Sequence, residues 1–451
     1  MKRTICLLLS LCLLLSLAAC RKEPAAESTA PVQTQSPTQT QLPTESPVPA
    51  ETQPAAETQA PTEATQPQKD AAVIRPLTLE KSLHTYFEWA DELPNALVRS
   101  EHSTVTLGAE DAGAYPEMAQ VLSQIAVMQE NAMLDEFDNL VSFAREELGR
   151  TGEGFETYVS TLDVQVRRAD SLVISLLSDS YSHYGQIQYY RVYHGSNYDT
   201  QTGREILLNE VVDVNNDLAL AVEKELLEQM YAETFHSEYV VQNYFADTPY
   251  DSFSWTLDYT GVTFYFAPGQ FCEGGAMTAT VTFTEYPELF NEKYTQVPAQ
   301  YAVEMPLDIS FFADLNGDGE QEAISVSGCY DNERNCYLDF GAYTNQGGCW
   351  YEECYAYELH PYYVKAADGQ YLYLFFEDFD AGLRAMRLMV LRLNADGSVT
   401  KSGELDASPS WLADNRFLIP TDPDCLMFDA PGDSLQKAEF AVGSEGIPHL
   451  K

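Results

Sequence analysis

Residues 21–72 constrain this chain most. They are Pro, Thr, Gln, Ala, Glu and Ser, with almost nothing apolar to bury. Such a run cannot offset the entropy of ordering it and stays extended. At ~3.1 Å per residue in its Pro-rich parts it reaches on the order of 150 Å. Whether it is a spacer of set length or a plain linker, any packed core lies beyond residue 72. Roughly 380 residues remain for folding, enough for two or three domains.

Ahead of that run come a basic start, Met1-Lys2-Arg3, an apolar stretch from Ile5 to Leu17, and small residues at Ala18 and Ala19. This order is that of a secretory signal. The stretch is too short, and too closely followed by polar sequence, to be a stable spanning helix. Cys20 follows Leu17-Ala18-Ala19 directly, which resembles the lipobox of bacterial lipoproteins. That resemblance implies cleavage before Cys20 and lipid on its sulfur. Residues 1–19 are then a signal peptide and 20–72 a lipidated tether. The chain is expected to be extracytoplasmic, held on a bacterial cell membrane by its lipid. The alternative is an ordinary signal peptide ending near a chance Cys.

The net charge is −44, and loss of Lys2 and Arg3 takes it to −46. So acidic a surface repels nucleic acid and anionic head groups and attracts cations and basic proteins. It equally suits solubility in a salty, calcium-containing exterior. Of nine Cys, Cys6 and Cys12 belong to the signal and Cys20 to the lipid. Cys272, Cys329, Cys336, Cys349, Cys354 and Cys425 remain, an even number that permits three disulfides. Cys329 with Cys336, and Cys349 with Cys354, are the local candidates. The spacing does not fix the pairing. No Cys-x-x-Cys occurs, so a zinc ribbon or thioredoxin-like site is unsupported.

Beyond residue 72 the pattern predicts an α+β fold, an antiparallel sheet with packed helices, followed by a mainly-β domain. The boundary is expected near 295/296. Residues 77–89 and 95–107 read as pairing segments. Residues 116–148 are the clearest helix, with Pro116 in its first turn. Its apolar residues, among them Met118, Leu122, Ile125, Met128, Leu140 and Ala144, recur at three-to-four spacing, and Gly149 ends it. Alternation then predicts strands through 158–193. A second helix spans 217–230, and a hairpin turns at Tyr259-Thr260. Ala279, Val281 and Phe283 alternate with threonines, a strand with one wet face. Residues 287–294 form a short closing helix.

Asn197-Tyr198-Asp199-Thr200-Gln201-Thr202-Gly203-Arg204 marks a tight turn. With the flanking strands, the following helix and residues 261–283, it resembles the extracytoplasmic domain of RsiV-type anti-sigma factors. The same module precedes the catalytic domain of PdaC-type peptidoglycan deacetylases. The resemblance covers about residues 75–295. Where that family often shows Gly-Gly-Ala-His, this chain reads Tyr193-His194-Gly195-Ser196-Asn197. RsiV-type members imply binding of lysozyme-like proteins and signalling through a membrane helix. With no such helix or cytoplasmic segment expected here, the resemblance implies binding rather than direct sigma-factor control.

Residues 314–322 read Asp-Leu-Asn-Gly-Asp-Gly-Glu-Gln-Glu. Oxygen ligands at alternate positions can converge on one Ca2+, and Gly319 allows the sharp turn. A helix-loop-helix site needs a bidentate Glu at position twelve, where this chain has Ser325; Glu322, at position nine, is the better last ligand. The pattern resembles Asp-x-Asn-x-Asp-Gly-x-x-Glu loops between strands in integrin-type repeats and related extracellular β-domains. That resemblance implies Asp314, Asn316, Asp318 and Glu322 as side-chain ligands, with Glu320 offering its carbonyl. The alternative is an acidic hairpin turn without metal. Further on, residues 337–343, 371–376 and 386–393 read as strands. Tyr351, Tyr355, Tyr357, Tyr362 and Tyr363 crowd one segment with Trp350. They serve either an aromatic face for sugar or protein, or strand packing.

No His-Glu-x-x-His, no Gly-x-Ser-x-Gly and no phosphate-cradling Gly-rich loop appears. His194, beside Gly195 and Ser196, is the most interesting single His. The expected function is non-catalytic recognition of wall glycan (peptidoglycan) or a lysozyme-like basic protein. The rivals are a wall-modifying hydrolase using carboxylates and a structural component of an envelope assembly.

Overall fold

The computed structural model describes residues 73–185, 187–229, 240–271, 276–331, 334, 336–380, 383–409, 415–430, 436–443 and 445–451. The signal, Cys20, the tether and Cys272 lie outside them. Val73–Lys451 is one compact unit. It is mostly strand, with a few helices and several sheets.

Strands β1 (Leu79–Glu88), β2 (Val98–Leu107), β3 (Tyr158–Ala169), β4 (Val173–Tyr184) and β5 (Ile187–Asp199) pair in sequence order. Helices α1 (Ala109–Ala114) and α2 (Pro116–Thr151) connect β2 to β3. A crossover of that length brings the chain back in the same direction, so β2 and β3 are parallel. The sheet is therefore not wholly antiparallel, as the sequence pattern had implied. Helix α2 runs to Gly152, which caps it at φ 60°, rather than stopping at Gly149. Its 36 residues span about 54 Å. Met118 and Leu122 pack into one apolar cluster near its start, and Leu140 and Ala144 into another near its end. Met128, between them, faces solvent.

The interval between those clusters is polar. His84 and His102 face each other across β1 and β2 and stack at 4.6 Å. Glu136 of α2 accepts from Ser160 Oγ at 3.0 Å. His102 is 3% exposed, and neither ring nitrogen has a hydrogen-bond partner.

A small sheet of β6 (Trp255–Leu257), β7 (Gly261–Phe266) and β8 (Met277–Thr282) follows. With α3 (Asn216–Gln229) and α4 (Val240–Asp247) it builds a separate core around Leu218, Phe245, Phe264 and Val281. The face of β8 expected to be wet is buried. Thr280 and Thr263 share a 2.8 Å hydroxyl bond, and Thr263 donates to Asp258. The expected closing helix is two short pieces, Pro287–Leu289 and Glu292–Thr295.

The second half adds β9 (Tyr301–Glu304), β10 (Phe311–Ala313), β11 (Glu322–Asp331), β12 (Cys336–Thr344), β13 (Cys349–Ala366), β14 (Gly369–Asp380), β15 (Leu383–Leu393) and β16 (Val399–Leu405). They form one eight-stranded sheet. It curls until Thr344 Oγ1 reaches the carbonyl of Gly397, beyond β15, at 2.7 Å. Its inner side is apolar, with Val326, Phe340, Leu372, Leu374 and Leu391. Part of its outer side, with Tyr362, Tyr373, Phe375 and Val390, packs on Leu79, Val105 and Val166 of the first sheet. Then come β17 (Ser408–Pro409), β18 (Arg416–Ile419), β19 (Leu426–Ala430), β20 (Gln436–Val442) and β21 (Pro448–Leu450). Strand β18 returns to the first sheet and pairs with β1, Leu79 opposite Ile419. Residues on both sides of position 295 thus share one core.

Buried ion pairs fasten the sheets together. Arg167 and Arg168, at the end of β3, are fully buried. Arg167 grips Asp258, beside β6, at 2.8 and 3.2 Å, and Arg168 binds Asp170 at 2.7 Å. Lys81 reaches Asp163 at 2.8 Å and Glu304 of β9 at 3.3 Å. Burial alone would drive the proton off Lys81. The two carboxylates outweigh it and hold the ammonium charged.

Candidate functional site

The acidic loop predicted at 314–322 joins β10 to β11. Gly317 and Gly319 both take positive φ, 79° and 92°, so the chain turns sharply twice without Cβ strain. The Asp314 carboxylate accepts from Gly317 N at 2.6 Å and Gly319 N at 3.1 Å. Asp318 accepts from Glu320 N at 2.8 Å. Glu322 is 3% exposed and accepts from Leu315 N at 2.8 Å and Gln346 Nε2 at 2.6 Å. Gln370 Nε2 anchors the loop by donating to the Asp314 carbonyl at 2.6 Å.

Asn316 sits at the centre. Its Nδ2 donates to Asp318 Oδ2 at 2.9 Å and to Glu322 Oε1 at 3.1 Å. The structure therefore brings Asp314, Asn316, Asp318 and Glu322 into one hydrogen-bonded knot, while Glu320 lies exposed. The donor set is all hard oxygen, which suits Ca2+. A donor N–H, however, bridges the two carboxylates. Among the described residues no three His, Cys, Asp or Glu side chains converge as a metal site in this arrangement. Ca2+ would take the bridging role only after the Asn316 amide turns its oxygen inward.

The crowded tyrosines divide at the register irregularity between Ala356 and Leu359 of β13. Tyr362 and Tyr363 are core. Trp350 packs inward on the apolar inner side of the curled sheet, near Phe340. Tyr351 and Tyr355 point out and are 47% and 58% exposed.

The expected local disulfides do not form. Cys329 and Cys336 are free thiols, as are Cys349 and Cys425. Cys329 stands opposite Asp339, and Cys336 opposite Asp331. Cys349 and Cys354 lie on one strand, β13. Five positions apart, they are about 16 Å apart and on opposite faces, beyond disulfide reach.

His194 is a strand residue of β5, opposite Ser178. Its neighbours explain the motif in structural terms. A Cβ at Gly195 would lie 1.9 Å from the Trp255 carbonyl oxygen, so only glycine lets β6 cross β5 this closely. Asn197 then pins the crossing. Its Nδ2 donates to Trp255 O at 3.0 Å, and its Oδ1 accepts from Leu257 N at 2.8 Å. In the turn, Asp199 accepts from the Thr202 hydroxyl at 3.0 Å, and Arg204 forks onto Glu210 at 2.7 Å.

No protein-family model matches the sequence, and neither does any curated protein. Two solved structures resemble the fold in part. The structural neighbours are DUF3298 proteins, a family of unknown function. One, from Bacteroides fragilis NCTC 9343, is 10% identical with a TM-score of 0.33 and covers 49% of this chain and 94% of its own. The other, from Pseudomonas aeruginosa PAO1, is 14% identical with a TM-score of 0.32 and covers 50% and 98%. Among the described residues no helix is long and apolar enough to cross a membrane.

Sequence reading missed the buried Arg167–Asp258 and Arg168–Asp170 pairs. The signal available was the doublet Arg167-Arg168 closing an alternating strand, in a chain with only 25 Lys and Arg. Adjacent strand residues point to opposite faces of the sheet, so where both faces are covered, as here, each cation needs a buried partner.

Proposed function

We propose that the folded unit is a recognition module for an envelope or host component, wall glycan or a lysozyme-like basic protein, and performs no chemistry on it. Lipid on Cys20 and the tether at 20–72 hold it on the outer side of a bacterial membrane. Ca2+ steadies the loop at 314–322 through Asp314, Asn316, Asp318 and Glu322.

One observation supports recognition above the others. The outer side of the curled sheet is apolar and covered where it meets the first sheet, but tyrosine-bearing, acidic and open along β11–β13. Exposed Tyr gives a large contact area at low entropic cost. The chain's charge of −44 adds long-range attraction for cationic partners. The RsiV-type resemblance of residues 75–295 adds lysozyme-like proteins to the candidate ligands.

The test uses the 73–451 fragment, which contains every contact described above. It is incubated with purified peptidoglycan and with a lysozyme, and both retention and soluble glycan products are measured. Retention without products is expected. Released products would replace this reading with a hydrolase.

A further inference from the structure

The open strip on β11–β13 has a specific composition. Cross-strand register puts Ser327, Gly341 and Tyr351 in one row, with Ser325, Tyr343 and Cys349 above and Cys329, Asp339 and Glu353 below. The residues between them, Val326, Phe340 and Ala342, are fully buried on the inner side. The strip is therefore the outer face of a rigid wall.

Its tyrosines lie along the wall. The Tyr343 hydroxyl sits over Gly341, only 2.5 Å from where a Cβ would be. Glycine there is what allows the ring to lie down along its strand. Tyr351, opposite Gly341, leans diagonally and donates to the Asp339 carboxylate. Tyr355 continues the same face of β13 about 13 Å beyond Tyr351, a span of a few sugar rings. Strands β11, β12 and β13 contribute carboxylates at Asp339 and Glu353, and their only Lys or Arg is Lys365 at the far end of β13.

We propose that this strip is a platform for an amino-sugar glycan. The rings of Tyr343 and Tyr351 take the C–H faces of the sugars. Asp339 and Glu353 accept hydrogen bonds from their hydroxyl and protonated amino groups. The flat, laid-down rings favour an extended polysaccharide, and the strip's negative charge favours one carrying free amines. This inference rests on the recognition reading above and assigns it a surface.

The test titrates the 73–451 fragment with chitosan oligosaccharides, N-acetylated chito-oligosaccharides and a lysozyme, following heat at low and at 0.3 M salt. Tyr351→Ala and Asp339→Asn serve as variants, with melting curves to confirm folding. The expected result is chitosan binding that exceeds binding of the acetylated form and weakens with salt. Tyr351→Ala should lower it at least tenfold, and Asp339→Asn should narrow the preference for free amines. Equal binding by parent and Tyr351→Ala would overturn the platform and leave recognition standing. Lysozyme binding with no sugar binding would overturn the glycan and assign the surface to a cationic polypeptide. No binding of either would overturn both readings.

Discussion

Replacing Arg167 by Met should be among the most damaging single changes in the molecule. The guanidinium is fully buried and makes two bonds to Asp258, at 2.8 and 3.2 Å, and one to the Glu304 carbonyl at 3.3 Å. Methionine fills much of the volume but leaves Asp258 as a buried, uncompensated carboxylate. Breaking one side of such a pair costs about 3–5 kcal/mol. Thr256 and Thr263 hydroxyls still donate to Asp258, at 2.9 and 2.7 Å, so the lower end, about 3 kcal/mol, is expected. Adding Asp258→Asn removes the stranded charge. The double variant should recover at least about 1 kcal/mol relative to the sum of the two single losses. Urea unfolding followed by tryptophan fluorescence reads this directly, because Trp255 lies buried in the hairpin that Asp258 anchors. A loss under about 1 kcal/mol for Arg167→Met would refute the reasoning. Strict additivity of the two changes would refute it equally.

Three further outcomes follow from the same geometry. Burial, helped by His84, pushes the His102 imidazole down to about 4. Its folded value is below the unfolded one, so the associated stability is full above pH ~6.5 and lost as pH falls through about 4, by at most about 3 kcal/mol. His102→Leu should flatten the stability profile over that window; an unchanged profile would show that the imidazole titrates normally. Gly195→Ala should destabilise by several kcal/mol, on the order of an overpacked core site, since its Cβ meets the Trp255 carbonyl; calorimetry showing parental melting would contradict the close crossing. Asp318→Ala should lower the melting temperature more with Ca2+ than with chelator, where only its bonds from Glu320 N and Asn316 Nδ2 are lost; an equal effect of the substitution in Ca2+ and chelator would remove metal from the loop.

Much of the fold was legible because period and turn chemistry speak locally. The helix from Pro116, the hairpin around Tyr259-Thr260 and the strands β12, β14 and β15 follow from alternation and turn residues alone. The acidic loop was legible because its ligand types alternate over nine consecutive positions. Less visible was whatever depends on distant partners. The burial of Thr280 goes with its bond to Thr263, which in turn donates to Asp258, partners that periodicity does not encode. The return of β18 to pair with β1, more than 300 residues away, carries no local mark. Tyr351 and Tyr363 share the same parity along β13, and a register irregularity between Ala356 and Leu359 resets the faces mid-strand, leaving one outward and the other in the core. A tyrosine count therefore identified the segment but not which rings face solvent. In sequence Gly195 and Asn197 stood out only as neighbours of His194, and in the structure they hold β6 across β5.

The most direct measurement is retention of the 73–451 fragment on purified peptidoglycan and on immobilised lysozyme, with soluble glycan fragments assayed in the same tubes. Recognition without chemistry requires salt-sensitive retention on at least one of the two and no fragments above the no-protein control. Fragment release, or passage through both without retention, would contradict it.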